Sequence, residues 1–279
     1  MCRISGTYRA WSGFWPAAAL ALGGIVSASC SIPDLNPSDT AEYERRPTTA
    51  AGRSSPLEPA EPLAAELPEH RPERALLDRD IDWRANSIMQ VLGDIARTVK
   101  YTEYSHGQRV NVREGIYVFD CSSMAHWVLK RAAPIAATTA ARGLAGRPLA
   151  ADYQRRIASI EPGEERGGWK RIGRVEDAEP GDVVAWLKPK IIESPNTGHV
   201  AFIVLPPTRV TGYSDAYLVR VVDATSLLHA DDTRTQGSGF GLGTILLVTE
   251  SDGAPRAYGW VGIEWRAFET SIAIGRPTR

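Results

Sequence analysis

Residues 117–123 read YVFDCSS and lead into a predicted amphipathic helix. Trp127 and Val128 follow Cys121 at helical spacing, and Pro134 ends the pattern. Cys121 is therefore expected at the N-terminus of this helix, where the helix dipole favours a thiolate by only ~0.3–1 kcal/mol. Because this free energy corresponds to less than about one pKa unit, an ionised thiol near neutral pH also needs a nearby imidazolium.

Polar residues also occur at the ends of three predicted strands, in the stretches PGDVVAW at 180–186, TGHVAFIV at 197–204 and VVDAT at 221–225. His199 follows a Gly turn and opens an apolar strand, so its imidazole is a candidate general base for a thiol nucleophile. Asp223 has apolar neighbours on the next strand. Its carboxylate would accept the second imidazole N–H and fix the tautomer.

Each of these residues also has a purely structural interpretation. A Cys on a helix is most often a small buried hydrophobe. A lone His at a strand start is more often a satisfied polar residue, and Asp223 could simply cap a turn. The ordered combination favours catalysis, because Asp-Cys-Ser precedes a helix, Pro-Gly-Asp precedes one strand and Gly-His precedes the next.

This combination resembles the NlpC/P60 family of papain-like cysteine peptidases over roughly residues 117–225. The resemblance implies a papain-like α+β fold, with Cys121 as nucleophile, His199 as general base and Asp223 as the residue that orients the imidazole. It also implies hydrolysis of amide bonds in peptidoglycan stem peptides, without a cofactor. The domain is similar to uncharacterised, lipoprotein-like members of the family that carry the stretch HADDTR, found here at 229–234.

Three positions depart from the family pattern. Ser123 stands where the family usually has Gly, and Ala201 replaces the second Gly of Gly-His-Val-Gly. Many members have His, Asn or Gln as the third catalytic residue, whereas this chain has Asp223. An insertion-like stretch at 134–171 separates the Cys from the His, and it is expected to form a lid or a substrate wall.

Four further residues are candidates for contact with the substrate: Tyr104, Asp120, Ser122 and His229. In the family, a Tyr upstream of the nucleophile can help to form the oxyanion site. The resemblance therefore suggests this role for Tyr104, and Tyr101 competes for it.

The remaining polar and glycine-rich segments favour structural interpretations. The polar stretch with His229, Asp231 and Asp232 predicts a turn with solvated charges rather than a metal site. His229 or Arg234 could still line the cleft. The glycines at 237, 239, 241 and 243 do not match a dinucleotide-binding motif, so they predict a flexible loop. Neither a metal ion nor a cofactor is therefore expected.

The first thirty residues have the pattern of an export signal. Arg3 and Arg9 precede an apolar stretch at 14–26, and three small residues then lead to Cys30. Cys30 is therefore the predicted lipidation site, which would anchor the chain to a membrane and face it toward the periplasm or the wall. Ordinary cleavage to a soluble secreted product and a short buried helix are the alternatives.

The rest of the chain divides where its composition changes. Eight of the 19 prolines fall between residues 33 and 72, so 31–75 is predicted to be a disordered linker. The catalytic domain is expected at 76–272, with a tail at 273–279. Its predicted helices, at 76–100 and after residue 121, precede an antiparallel sheet, which is the order of an α+β fold. The predicted strands are 183–187, 200–205, 217–222, 244–248 and 256–260.

Composition excludes several classes of function. The 32 Lys and Arg residues nearly cancel the 33 Asp and Glu residues, and there is no long basic block, so a nucleic-acid partner is not expected. Three cysteines are too few for a disulfide framework in a chain of 279 residues. Three functions stay open: an exported cysteine hydrolase, an acyltransferase or amidase that uses the same thioester, and a non-catalytic envelope-binding domain.

Overall fold

The structure is a computed structural model that describes residues 78–234, 237–260 and 267–278. The predicted export signal, the lipidation site Cys30 and the predicted linker lie outside these residues. Within the described ranges, no helix is both long enough and apolar enough to cross a membrane.

The described residues form four α-helices and two short 3-10 turns. Asn86 caps the first helix, because its side chain accepts a hydrogen bond from the Met89 N–H at 3.0 Å. This cap starts the helix at residue 87, so it is shorter than the predicted helix at 76–100. The helices are α1 (Ser87–Thr98), α2 (Cys121–Ala132), α3 (Pro134–Ala140) and α4 (Ala150–Ala158), and the 3-10 turns are Asp78–Asp80 and Val175–Asp177.

A small sheet lies between α1 and α2 in the chain. It consists of β1 (Tyr101–Tyr104), β2 (Arg109–Asn111) and β3 (Ile116–Phe119), in the order β1-β3-β2. β1 and β3 are parallel, and β2 is antiparallel to β3. The prediction that all helices precede all strands is therefore wrong at this point. β1 and β2 are short, partly exposed strands without the Val/Ile-rich pattern, and the more apolar β3 pairs with both of them.

The large sheet is antiparallel and contains all five predicted strands, which confirms the α+β class. Its strand order is β11-β10-β9-β8-β6-β5-β12-β4, with β7 paired to β8. The strands are β4 (Trp169–Ile172), β5 (Val183–Leu187), β6 (Gly198–Ile203), β7 (Thr208–Arg209), β8 (Ala216–Thr225), β9 (Gly239–Thr249), β10 (Pro255–Trp260), β11 (Ala267–Glu269) and β12 (Ile272–Pro277).

Both faces of the large sheet are buried. Successive side chains of a strand point to opposite sides, so neighbouring residues belong to different cores. Val183 and Phe202 pack with the helices in one core. Val184 and Ile203 belong to a second core, whose other side chains come from the sheet strands and from the segment around Val175. Since β10 also contacts β12 across this second core, the sheet curves around it.

The C-terminal prediction of a tail at 273–279 is wrong. Residues 272–277 form β12, which lies between β5 and β4 in the large sheet. Ile274 is fully buried in the second core. The short segment Ile-Ala-Ile-Gly offers too little periodicity to predict a central strand, and its pairing with strands about 100 residues earlier decides its structure.

Candidate active site

Cys121 is the first residue of α2, as the sequence predicts. The Asp120 Oδ1 accepts a hydrogen bond from the Ser123 N–H at 2.7 Å, and the Ser123 Oγ accepts one from the Asp120 N–H at 2.9 Å. This reciprocal cap fixes the start of the helix, and so the position of the thiol. The Ser that replaces the usual family Gly has a structural role here. Cys121 is 5% exposed.

His199 and Asp223 meet at the end of the sheet where β6 begins and β8 ends. The His199 Nε2 lies 2.8 Å from the Asp223 Oδ2. An ionised carboxylate only accepts hydrogen bonds, so Nε2 donates and the other ring nitrogen, Nδ1, is left for the Cys121 thiol. The structure thus brings together the three residues that the sequence predicts.

The surroundings of His199 favour its protonated form. Burial by itself lowers the pKa of this imidazole, but the charge of Cys121 and the hydrogen bonds with Asp223 and Cys121 raise it to about 10. Two indole rings also contact the imidazole, with centroid distances of 5.0 Å for Trp186 and 5.3 Å for Trp260. Aromatic rings near a cation add a further favourable interaction.

Asp223 lies within a fully buried polar group that we call the Asp223 cluster: Asp223, His229, Asp232 and Arg234. Arg234 donates to the Asp223 Oδ1 and to Asp232, and it also donates to the backbone carbonyls of Asp223 and Gly239. Burial raises the pKa of Asp223, but the charges of Arg234 and His229 and the bond from His199 hold it well below its usual value.

His229 lies behind Asp223 rather than in contact with solvent. Its Nδ1 is 3.1 Å from the Thr244 carbonyl oxygen, and its Nε2 is 3.3 Å from the Asp223 Oδ2. Both partners are acceptors, so each ring nitrogen of His229 faces an acceptor. The side chain is 0% exposed, and Trp260 stacks on its ring at 4.2 Å. The prediction that His229 contacts the substrate is therefore wrong: it positions Asp223.

The glycines of β9 explain how the Asp223 cluster fits against the sheet. A Cβ added at Gly243 would overlap the His229 ring, and one added at Gly241 would overlap the Arg234 side chain. The prediction of a flexible loop is wrong from residue 239 onward, because Gly241 and Gly243 are buried strand residues opposite β8. Their lack of side chains makes room for the cluster.

The charged side chains of the turn at 229–234 are buried or nearly so, which corrects the prediction of solvated charges. Asp232 pairs with Arg234, and the Asp231 Oδ2 lies 2.8 Å from Arg220 and 2.6 Å from the Thr244 Oγ1. These carboxylates therefore neutralise buried arginines. Within the described ranges, no group of three or more His, Cys, Asp or Glu side chains is placed to hold a metal ion.

A second polar group, the Asp120 cluster, lies next to Cys121 at the start of α2: Asp120, Ser122, His106 and Arg147. Arg147 donates to the Asp120 Oδ2 and, at 2.6 Å, to the Ser122 Oγ. His106 lies 3.1 Å from the same carboxylate. Burial raises the pKa of Asp120, but the Ser123 N–H, His106 and Arg147 lower it overall. Asp120 and Ser122 are buried, and Arg147 covers both with a side chain that is 26% exposed.

Arg147 is a site residue that the sequence gave no reason to choose. It lies between α3 and α4, within the stretch 134–171 that is predicted to form a lid or wall. The buried faces of α3 and α4 instead belong to the core, and α4 packs on β5 and β12, whereas 142–146 and 161–166 are exposed. No local motif marks the one arginine that folds back onto the helix carrying the nucleophile.

Tyr104 is the tyrosine that the fold brings to the site. It lines the same cleft as His199. Burial, together with the charges of Cys121 and Asp120, raises the pKa of Tyr104, so its phenol stays protonated and able to donate a hydrogen bond. Tyr101, the competing candidate, is 39% exposed and donates to Glu103 instead.

A cleft of about 140 Å³ opens beside the imidazole. Its walls come from the ends of β5 and β6, the loop 188–197, the residues after β8 and the end of β10. Trp186, Tyr258 and Trp260 form an aromatic wall, with the Trp186 and Tyr258 rings 4.6 Å apart. His199 lines this cleft, and Cys121 is not among its lining residues.

No family model, no curated protein and no solved structure matches this chain. The resemblance to the NlpC/P60 family therefore rests on its motifs.

Proposed function

We propose that this protein is a cysteine hydrolase that cleaves an amide bond through an acyl-enzyme. The observation that carries this proposal is a set of three adjoining groups: a buried carboxylate 2.8 Å from an imidazole on the sheet, and a thiol at a capped helix N-terminus that hydrogen-bonds to that imidazole. This is the arrangement of nucleophile, general base and orienter that acyl transfer requires.

The proposed reaction has two steps. The Cys121 thiolate attacks the carbonyl carbon, and the C–N bond breaks as the His199 imidazolium gives its proton to the leaving amine. Water then attacks the thioester while the imidazole takes its proton, which releases the acid and restores the pair. The Cys121 N–H has no acceptor within its helix, and the Tyr104 phenol is a second donor, so both are candidates to stabilise the oxyanion.

The substrate class that the family resemblance suggests is the stem peptide of peptidoglycan. The test is to incubate the purified full-length protein with defined muropeptides and to follow the products by mass spectrometry. We expect cleavage by the wild type and none by Cys121→Ala. If Cys121→Ala cleaves at the wild-type rate, the thiol mechanism is wrong.

We also propose that the protein is exported and anchored through a lipid on Cys30. The support is the basic start, the apolar stretch and the small residues before Cys30 in the sequence. The wild type should fractionate with membranes and carry acyl mass on its N-terminal residue, whereas Cys30→Ala should be soluble. Recovery of soluble wild type with an unmodified N-terminus would contradict the anchor and leave the catalytic proposal untouched.

A second candidate function is transfer of the acyl group to an acceptor other than water. The aromatic wall beside His199 favours it, because an apolar surface next to the thioester offers a place for an organic acceptor.

A further inference from the structure

Trp260 is the one aromatic residue, among those that the structure describes, whose ring contacts both histidines that bind Asp223. It stacks on His229 with a centroid distance of 4.2 Å and an angle of 22° between the rings. It meets His199 almost at a right angle, at 87°, with a centroid distance of 5.3 Å. Its indole N–H donates to the Leu228 carbonyl oxygen at 3.2 Å, which ties the ring to the residue before His229.

The two imidazoles converge on a single oxygen atom. The Asp223 Oδ2 lies 2.8 Å from the His199 Nε2 and 3.3 Å from the His229 Nε2. The torsion that rotates a histidine ring about its Cβ–Cγ bond is broad rather than confined to narrow wells, so a single hydrogen bond leaves the ring a wide range of orientations. Rotation of the His199 ring would turn its Nδ1 away from the Cys121 thiol. Packing against the ring itself narrows this range.

The register of the large sheet places the indole beside His229. Trp260 ends β10 and lies opposite Ile245 of β9. Ile245 and Gly243 are two residues apart, so they point to the same face of the strand. The His229 ring occupies the space at Gly243, where an added Cβ would overlap it. Trp260 therefore covers the His229 ring from the neighbouring strand, and it packs on the second core as well.

We propose that Trp260 is a positioning residue for the His199–Asp223 pair: its indole packs on both imidazoles and holds the His199 ring with Nδ1 toward Cys121. This inference rests on the proposed function, since it assigns a residue to the reaction of Cys121 and His199. Trp186 also contacts His199, at 5.0 Å, but it is buried in the second core. Trp260 is only partly buried and lines the cleft, so its replacement disturbs the fold less.

The test replaces the indole and keeps as much of the packing as the chain allows. Trp260→Met fills much of the same space without a planar ring, and Trp260→Leu replaces it if circular dichroism shows that the Met variant does not fold. Trp260→Phe keeps an aromatic face. Phe268→Met is the matched control, because Phe268 is also partly buried against the second core and its ring contacts Tyr258 at 5.8 Å. The rate at which iodoacetamide alkylates Cys121 in the full-length protein reports whether the imidazolium still faces the thiol.

We expect alkylation of Cys121 at pH 6 to be about fivefold slower in Trp260→Met than in the wild type, because the stacking contacts that orient the imidazole are lost. At pH 9.5 the two rates should agree within about twofold, since an ordinary thiol of pKa ~8.5 is mostly ionised there. Trp260→Phe and Phe268→Met should stay within about twofold of the wild type at both pH values. A merely structural role gives the opposite change, because loosening of the fold uncovers Cys121, which is 5% exposed, and speeds alkylation.

The outcomes separate this inference from the proposed function. If Cys121 of the wild type reacts at pH 6 like an ordinary thiol, the Cys121–His199 pair fails and the proposed function fails with it. If the wild type is reactive at pH 6 and Trp260→Met is equally reactive, the positioning role is wrong and the hydrolase proposal stands. Equal losses in Trp260→Met and Phe268→Met would also overturn the inference, as would a Trp260→Phe variant that reacts as slowly as Trp260→Met.

Discussion

Asp120 and Asp223 are two buried carboxylates, one beside Cys121 in the chain and the other bound to His199. Each is bound by an arginine and by at least one histidine, and each has a lowered pKa. Yet the Asp120 Oδ1 accepts hydrogen bonds from Ser122 and Ser123 at the start of α2, whereas the Asp223 Oδ2 binds the His199 imidazole. Under the proposed mechanism, the group that a carboxylate binds, rather than its charge or burial, therefore determines whether it affects turnover.

The largest difference between the two carboxylates is expected when one negative charge is removed from each cluster. Asp223→Asn should lower turnover by about 10⁴-fold, because His199 loses the acceptor that fixes its tautomer. Asp120→Asn should change turnover less than tenfold, since Asn caps a helix about as well as Asp. Steady-state rates of both variants, with circular dichroism to verify folding, test this. Equal losses would mean that the two carboxylates share one role.

The second prediction concerns stability. Arg234→Met removes the main counter-charge of a fully buried carboxylate, so it should lower the free energy of unfolding by about 3–5 kcal/mol. The matched control is Arg97→Met, since the Arg97–Asp94 pair is 60% and 72% exposed. Its cost should stay under about 1 kcal/mol. Urea denaturation of the two variants measures the difference, and similar midpoints would show that the Asp223 cluster does not need its arginine.

The third prediction follows from the pKa of His199. A pKa raised to about 10 means that the His199 imidazolium persists at pH 6 and places a positive charge beside the Cys121 sulfur. Iodoacetamide should therefore alkylate Cys121 at least tenfold faster at pH 6 in the wild type than in His199→Ala, where an ordinary thiol of pKa ~8.5 is almost wholly protonated. Peptide mapping distinguishes Cys121 from Cys2 and Cys30. Identical rate profiles would contradict the pair.

The fourth prediction tests His229 as a positioning residue. His229→Gln keeps a donor near Asp223 but loses the second one, to Thr244, and should lower kcat about tenfold with KM unchanged. A residue that touches the substrate would raise KM instead. The pH profile of kcat should shift as well, because the carboxylate that orients His199 loses a partner.

The smallest effect is expected at Arg147. Arg147→Ala uncovers Asp120 and Ser122 but leaves the helix cap in place, so turnover should change by no more than about threefold and the free energy of unfolding by about 1 kcal/mol. A loss of turnover comparable to that of Asp223→Asn would show that Arg147 takes part in the reaction.

The sequence predicts the parts of the site that local patterns determine. Cys121 stands at a helix start that its own neighbours cap, and His199 follows a glycine at the start of a strand, so both are readable from a few residues. Arg147 and the buried role of His229 are not readable, because they depend on contacts between segments that are distant in the chain. The strand β12 is not predictable from the sequence for the same reason, since its pairing with β4 and β5 determines its conformation.

The glycines of β9 can be understood as a mould. Gly241 and Gly243 leave space on one strand where the Arg234 and His229 side chains lie against it. The positions of the two glycines therefore match the positions of the two side chains. A chain that keeps this buried network must keep both halves, so Gly-x-Gly on the strand and His-x-x-x-x-Arg before it form one split fingerprint. Read together, they would reveal the Asp223 cluster in a sequence whose catalytic motifs had diverged.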